Sequence, residues 1–250
     1  MRRAVDGRRL NSVPHGGLAC AARRLIRVKA TRSRCRVAFD LQTANARLWK
    51  GRKMKAISII ENEHRSLAAV LHGMLYLVHD IRDHGTAPDF DLLGAMIYYI
   101  DAFPERYHHP KEDRYLFRAL RSRSPEAEPL LDRLEGEHAA GARKIRDLEQ
   151  LLARYQHGGA SRFAQFLAAV EDYADFHWKH MRAEEEDVLP LARKHLSPED
   201  WAEIDAAFLG HGDPMLGAKA DAEYRALFTR IVNLAPPPIG VGPERTPGAR

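Results

Sequence analysis

Cysteine is almost missing from this chain of 250 residues: Cys20 and Cys35 are the only two, and both precede residue 54. The remainder can build no disulfide framework and no thiolate metal site, so any metal there must be held by histidine and carboxylate. That donor set suits iron, manganese or zinc rather than copper(I) or an iron–sulfur cluster. No stretch approaches the roughly 20 consecutive apolar residues of a membrane span. An excess of positive charge is also missing over most of the length. The formal +5 sums two unlike parts: residues 1–53 carry 15 Lys and Arg against Asp6 and Asp40, a net +13, and the other 24 basic and 32 acidic residues give −8. The acidic body offers no basic footprint for nucleic acid.

Residues 1–53 are Arg-rich and show no sustained hydrophobic period. A secretory signal fits poorly, because the apolar run at 18–22 is short and meets Arg23 and Arg24 directly. A mitochondrial transit peptide fits the acid-poor composition better, and a nucleic-acid-binding tail is a third reading. The abrupt change at Met54, where a clean amphipathic pattern begins, favours a disordered leader or an extension upstream of the true start. Residues 235–250, rich in proline and glycine, are expected not to fold regularly. The folded domain is expected over 54–234.

What the domain does have is histidine at helical spacing. In Tyr107-His108-His109-Pro110-Lys111-Glu112-Asp113, His108 and Glu112 lie one turn apart and project from one face. A single such pair says little. The chain repeats it at His180 and Glu184, and each copy continues with an acid at +5 and two large apolar residues at +8 and +9. Upstream of the copies stand Glu61-Asn62-Glu63-His64 and Glu135-Gly136-Glu137-His138. The separations, 44 residues from His64 to His108 and 42 from His138 to His180, suit one helix out and one back. Two related hairpins would thus turn four imidazoles and two carboxylates inward. That is a dimetal site in a four-helix bundle.

The apolar stripes agree. Ile57, Ile60, His64, Leu67, Leu71, Met74 and Val78 form one seam of a first helix ending near His84. A second helix starts at Asp89 or Phe90, and Pro104 and Pro110 should interrupt and bend it. Its register does not decide whether His108 or His109 faces inward; the repeat selects His108. Leu131, Leu134, His138, Gly141, Ile145, Leu148 and Leu152 mark the third helix, and Gly141 could admit a close neighbour. The fourth carries Phe166, Val170, Tyr173, His177, His180, Glu184, Val188 and Leu191, with Ser161 as its N-cap. A short fifth helix opens at Ser197-Pro198, and one more is expected over 217–234. An ionised glutamate in such a seam needs a partner or a metal.

The paired motifs, each preceded by a Glu-His helix, resemble the hemerythrin-like (HHE cation-binding) domain, and Phe103-Pro104-Glu105-Arg106-Tyr107-His108 resembles that family's second helix. The resemblance covers about 54–234. It implies an all-α, antiparallel four-helix bundle with one or two additional C-terminal helices and a centre of two non-haem iron ions, oxo- or hydroxo-bridged. His64, His108, His138 and His180 would be terminal ligands and Glu112 and Glu184 bridges. The oxygen-carrying members have a further histidine where this chain has Ala142, so the set is nearer to the di-iron members that repair iron–sulfur centres. The expected function is binding or sensing of O2, NO or peroxide, or handling of iron, in the cytoplasm. The alternatives are a di-iron enzyme and a structural bundle acting as an interaction module. His177 is expected as a hydrogen-bond partner, His109 as exposed or a partner, Glu61 or Glu135 as orienting a neighbouring ring, and Asp113 and Glu185 as solvated or partners. Tyr107 and Tyr173 are expected to pack.

Overall fold

The computed structural model describes residues 54–210 and, beyond them, residues 229, 232 and 233. The leader, the helix expected over 217–234 and the tail fall outside this set, apart from those three helical positions. The described residues are helical with short connections and contain no strand. No helix among them is long and apolar enough to cross a membrane.

The first helix, Lys55–His84, buries every residue of its expected stripe, with His64 among them. Gly85 ends it in the left-handed conformation, φ 67°, where its N–H reaches the Ile81 carbonyl. That backbone shape costs glycine nothing. The Asp89 side chain then accepts from Leu92 N at 2.9 Å and caps the second helix.

The second helix departs from expectation in an instructive way. It begins as Phe90–Ile100 and does not break at either proline. It widens into π turns over Asp101–His108, returns to α over His109–Lys111, widens again over Glu112–Phe117 and finishes as Arg118–Arg123. Proline lacks the N–H that an α turn needs and its ring meets the carbonyl four residues back; a wider turn relieves both. Each π turn also slips the register, so neither His108 nor His109 is displaced to the surface: both are buried.

Ser124 turns the chain, and the third helix, Glu128–Gly158, buries the whole expected stripe from Leu131 to Leu152. Ser161 does not cap the fourth helix. It lies in a 3-10 turn, Gly159–Arg162, where its hydroxyl donates to Gly158 O, and Arg162 takes the cap position. The fourth helix runs as Phe163–Ala183, a π turn over Glu184–Val188, and Leu189–His195. That turn shifts burial from the expected Leu191, which is half-buried, to Leu189 and Ala192. Ser197 opens the fifth helix, Pro198–Leu209, with a capping box to Asp200.

The first helix packs on the second and fourth, and the third packs on the same two, so the four long runs enclose one core. At one end it is apolar, built around Leu71, Met74, Ile97, Ile145, Phe166 and Val170. Toward the middle the seams turn polar.

Candidate metal centre

Seven side chains converge there in two groups whose nitrogen and oxygen atoms lie within 4.8 Å of one another: His64, His108, Glu112 and Glu184 in one, His109, His138 and His180 in the other. All seven are buried. All six residues expected from the repeated motifs are among them. The seventh, His109, is not at the surface, one of its two expected places: it is 3% exposed and packs flat on His138, ring centres 4.3 Å apart.

Every ring is fixed from behind. The Nδ1–H of His64 donates to Glu185 at 2.9 Å, of His108 to Glu63 at 2.6 Å, of His138 to Asp113 at 2.7 Å, of His180 to Glu137 at 2.9 Å and of His109 to Glu105 at 3.2 Å. The first four partnerships cross between helices. A carboxylate can only accept, so Nδ1 holds a proton and Nε2 faces inward, where a metal can replace any proton it carries. This is the usual outer partnership of a metal-bound histidine. The orienting residues are therefore Glu63 and Glu137. Glu61 and Glu135 instead pair outward, with Arg193 and Arg121.

On the inner side the polar atoms lack partners. His64 Nε2, His108 Nε2 and all four carboxylate oxygens of Glu112 and Glu184 are buried without a hydrogen bond. They nonetheless face one another: Glu184 Oε2 lies 3.2 Å from His64 Nε2 and its Oε1 3.2 Å from His180 Nε2, and Glu112 Oε2 lies 3.3 Å from His108 Nε2. The Nε2 atoms of His138 and His180 approach to 3.0 Å. Without metal, a proton on one ring donates to the other at that distance, and a bound cation would take its place. Two nitrogens at right angles on one ion, each at about 2.1 Å, would be separated by about 3.0 Å. Buried polar atoms without partners cost free energy, and a metal removes the cost. The residues fit a pair of divalent ions.

Charge is balanced accordingly. Burial opposes protonation of His64, but Glu184 and Glu185 outweigh it and hold its pKa near about 10. His180 likewise stands at about 10, against burial, through Glu184 and Glu137. Burial and then His138 push His109 down to about 4. Burial and the nearby Glu184 push Glu112 well above the usual carboxylate range. Glu184, despite its burial, is held well below that range by His180, His138 and His64.

Around the centre, the Tyr173 hydroxyl donates to Glu105 at 3.1 Å, and a Cβ at Gly141 would lie 2.9 Å from Glu105 Oε1, which accounts for the glycine. His177 does not act as the expected hydrogen-bond partner: it is buried, neither nitrogen is bonded, and its nearest carboxylate oxygen is Glu105 Oε1 at 3.8 Å. Tyr107 lies exposed at the surface. Of the remaining histidines, His72 packs on Trp178, while His79 and His84 pair with Glu171 and Asp80. His157 is exposed and His195 lies 3.8 Å from Glu126; His211 falls outside the described residues. Two signals for the missed residues were in the sequence: Glu105 precedes His109 by one turn, and Glu63 and Glu137 recur at the same place in both copies.

A helical bundle carrying two facing sets of imidazoles with glutamates between them defines a class of metal-binding proteins. The family description Hemerythrin HHE cation binding domain matches residues 55–192, more than half of the chain. The chain belongs to the hemerythrin HHE cation-binding family. Comparison with curated proteins and with solved structures gives no match.

Proposed function

We propose that the four runs form an antiparallel bundle whose centre holds two non-haem iron ions and binds a small diatomic or peroxide ligand, as a sensor or carrier of O2 or NO in the cytoplasm. The observation that carries this reading is Glu184, whose two oxygens face imidazoles of different groups, His64 and His180, each at 3.2 Å. A carboxylate placed that way suits two ions at once, and Glu112 stands opposite it.

Iron in such a site would supply redox change and open coordination positions. The chain supplies the rest. Five Nδ1–H···carboxylate bonds hold the rings so that no rearrangement is needed on binding. Phe117, stacked on His138 at 5.6 Å, closes one side against water. The first group offers two imidazoles and the second three, so an ion held by His64 and His108 would have fewer nitrogen donors and more room for a ligand. A cavity of ≈ 370 Å³ lies against the outer side of His64, lined also by its partner Glu185 and by Arg65, Ala68, Trp178 and Met181. It admits a molecule of a few atoms.

Metal analysis by mass spectrometry of protein from iron-replete cells, followed by optical spectra of the reduced form with O2 and NO, tests the reading. About two irons per chain and a spectral response to either gas are expected. Zinc alone, or no response to both gases, would overturn it. The first outcome would favour the structural bundle. Turnover of peroxide or NO with an added reductant would move the assignment to a di-iron enzyme.

A further inference from the structure

The fifth helix lies beyond the residues matched to the family, yet it reaches the metal centre. Ala56 N donates to Asp205 Oδ1 at 2.8 Å and ties this helix to the start of the first. Near its end, Phe208 is fully buried and meets the His108 ring edge-on, centres 6.4 Å apart at 81°. Between Phe208 and the centre lies Lys111, a lysine only 8% exposed. Lysines are almost never so deep without a reason. Its Nζ stands 4.8 Å from the Phe208 ring centre, 5.8 Å from that of Phe103 and 3.7 Å from Glu63 Oε1. The other oxygen of Glu63 is the one that accepts from His108 Nδ1–H.

The other rings have different backing. Glu137, behind His180, pairs with the exposed Arg133; Asp113 and Glu185 are partly exposed to water; Glu105 takes the Tyr173 hydroxyl. A buried ammonium stands behind His108.

We propose that Lys111, held in place by Phe208, is a positioning residue that sets the donor strength of His108 and thereby the reduction potential of the ion held by His64 and His108. The inference rests on the dimetal reading above. A carboxylate that accepts from Nδ1–H draws the proton off the ring and makes Nε2 a stronger donor. A cation beside that carboxylate weakens the pull. In a dry site the ammonium also acts directly on the ion, opposing any gain of positive charge there. Both effects favour the reduced ion at this position.

The test compares full-length wild type with Lys111→Met, Lys111→Arg and Phe208→Leu, each loaded with iron, titrated reductively and followed optically, with metal content measured alongside. Lys111→Met is expected to move a midpoint to lower potential, with the preference for the oxidised ion rising about tenfold or more, as for outer partners of metal-bound histidines. Lys111→Arg should stay close to wild type. Phe208→Leu, which changes no charge, should give a smaller shift in the same direction. Equal metal content with an unchanged midpoint in Lys111→Met overturns the proposal. Should that variant not fold, an unchanged midpoint in Phe208→Leu does the same. Wild-type protein that takes up no iron overturns the dimetal reading and this inference together.

Discussion

The two hairpins, 55–123 and 128–195, carry the same ligand pattern and surround it differently. Glu63 and Glu137 occupy matched places one residue before a ligand histidine, and each fixes a ring on the following helix. The Glu63 side chain is 2% exposed with Lys111 behind it, whereas Glu137 is 23% exposed and pairs with a surface arginine. In the first hairpin Pro104 and Pro110 bracket a second inward histidine, His109; in the second, Gly141 makes room for Glu105 and His177 is buried unbonded. Repetition of a motif does not make equivalent sites. The surroundings decide, and here they differ in charge and in access to water.

The hardest blow to this arrangement is to remove what the hairpins share. Glu184→Ala is expected to abolish uptake of both ions, a larger loss than the about 10–100-fold of an outer partner, read as metal per chain. Retention of two ions would show that Glu112 alone suffices. Next, His109→Ala should weaken binding in the three-histidine group by about tenfold or more while leaving the other ion in place. Adding Ala142→His in that background asks whether the third helix can supply the missing ring; recovery of the second ion would show that it can. A comparison of Glu63→Gln with Glu137→Gln sharpens the asymmetry further. Competition with a chelator should show the Glu63 variant losing more affinity, because its side chain is dry. Equal losses would mean that exposure to water does not matter at these positions.

A pH experiment separates the metal-free from the loaded form. Without metal, the pKa of His64 and of His180 is raised from the usual histidine value of 6.5 to about 10. The folded state therefore binds more protons than the unfolded chain between those values, and this contribution to stability is complete below pH 6.5 and lost as pH rises through 10. Thermal melts of metal-free protein should fall over that window. Metal must displace those protons, so uptake at neutral pH should release them and affinity should rise with pH. Calorimetry in buffers of different ionisation enthalpy measures the release; none would indicate that the rings are already neutral. The smallest effect is expected from Gly141→Ala. Better helix propensity is worth up to about 1 kcal/mol, while the new Cβ displaces Glu105 and loosens His109. Second-ion affinity should drop a few-fold with the melting temperature nearly unchanged.

Much of this was legible in the sequence where the helices keep one period. The third-helix stripe from Leu131 to Leu152 is uninterrupted α-helix, and every residue of it is buried. Leu191 was misplaced because a π turn at Glu184–Val188 lies upstream of it. His109 was hidden for the same reason, since the π stretches on either side of His109–Lys111 leave that helix without one continuous period. Asp113 and Glu185 were visible as repeated acids, but their partners lie 25 and 121 residues away on other helices. Only packing joins them.

Glu112 and Glu184 each stand at the first residue of a π turn, Glu112–Phe117 and Glu184–Val188. A π turn is one residue more than the α-helix requires, so the helix slips in phase by about 100° just after Glu112 and, in the other half, just after Glu184. The segments beyond, 118–123 and 190–195, are equal in length and bury corresponding positions, Leu120 and Ala192. A chimaera that exchanges them should keep its buried face, whereas deleting one residue inside either slip would turn that face toward water.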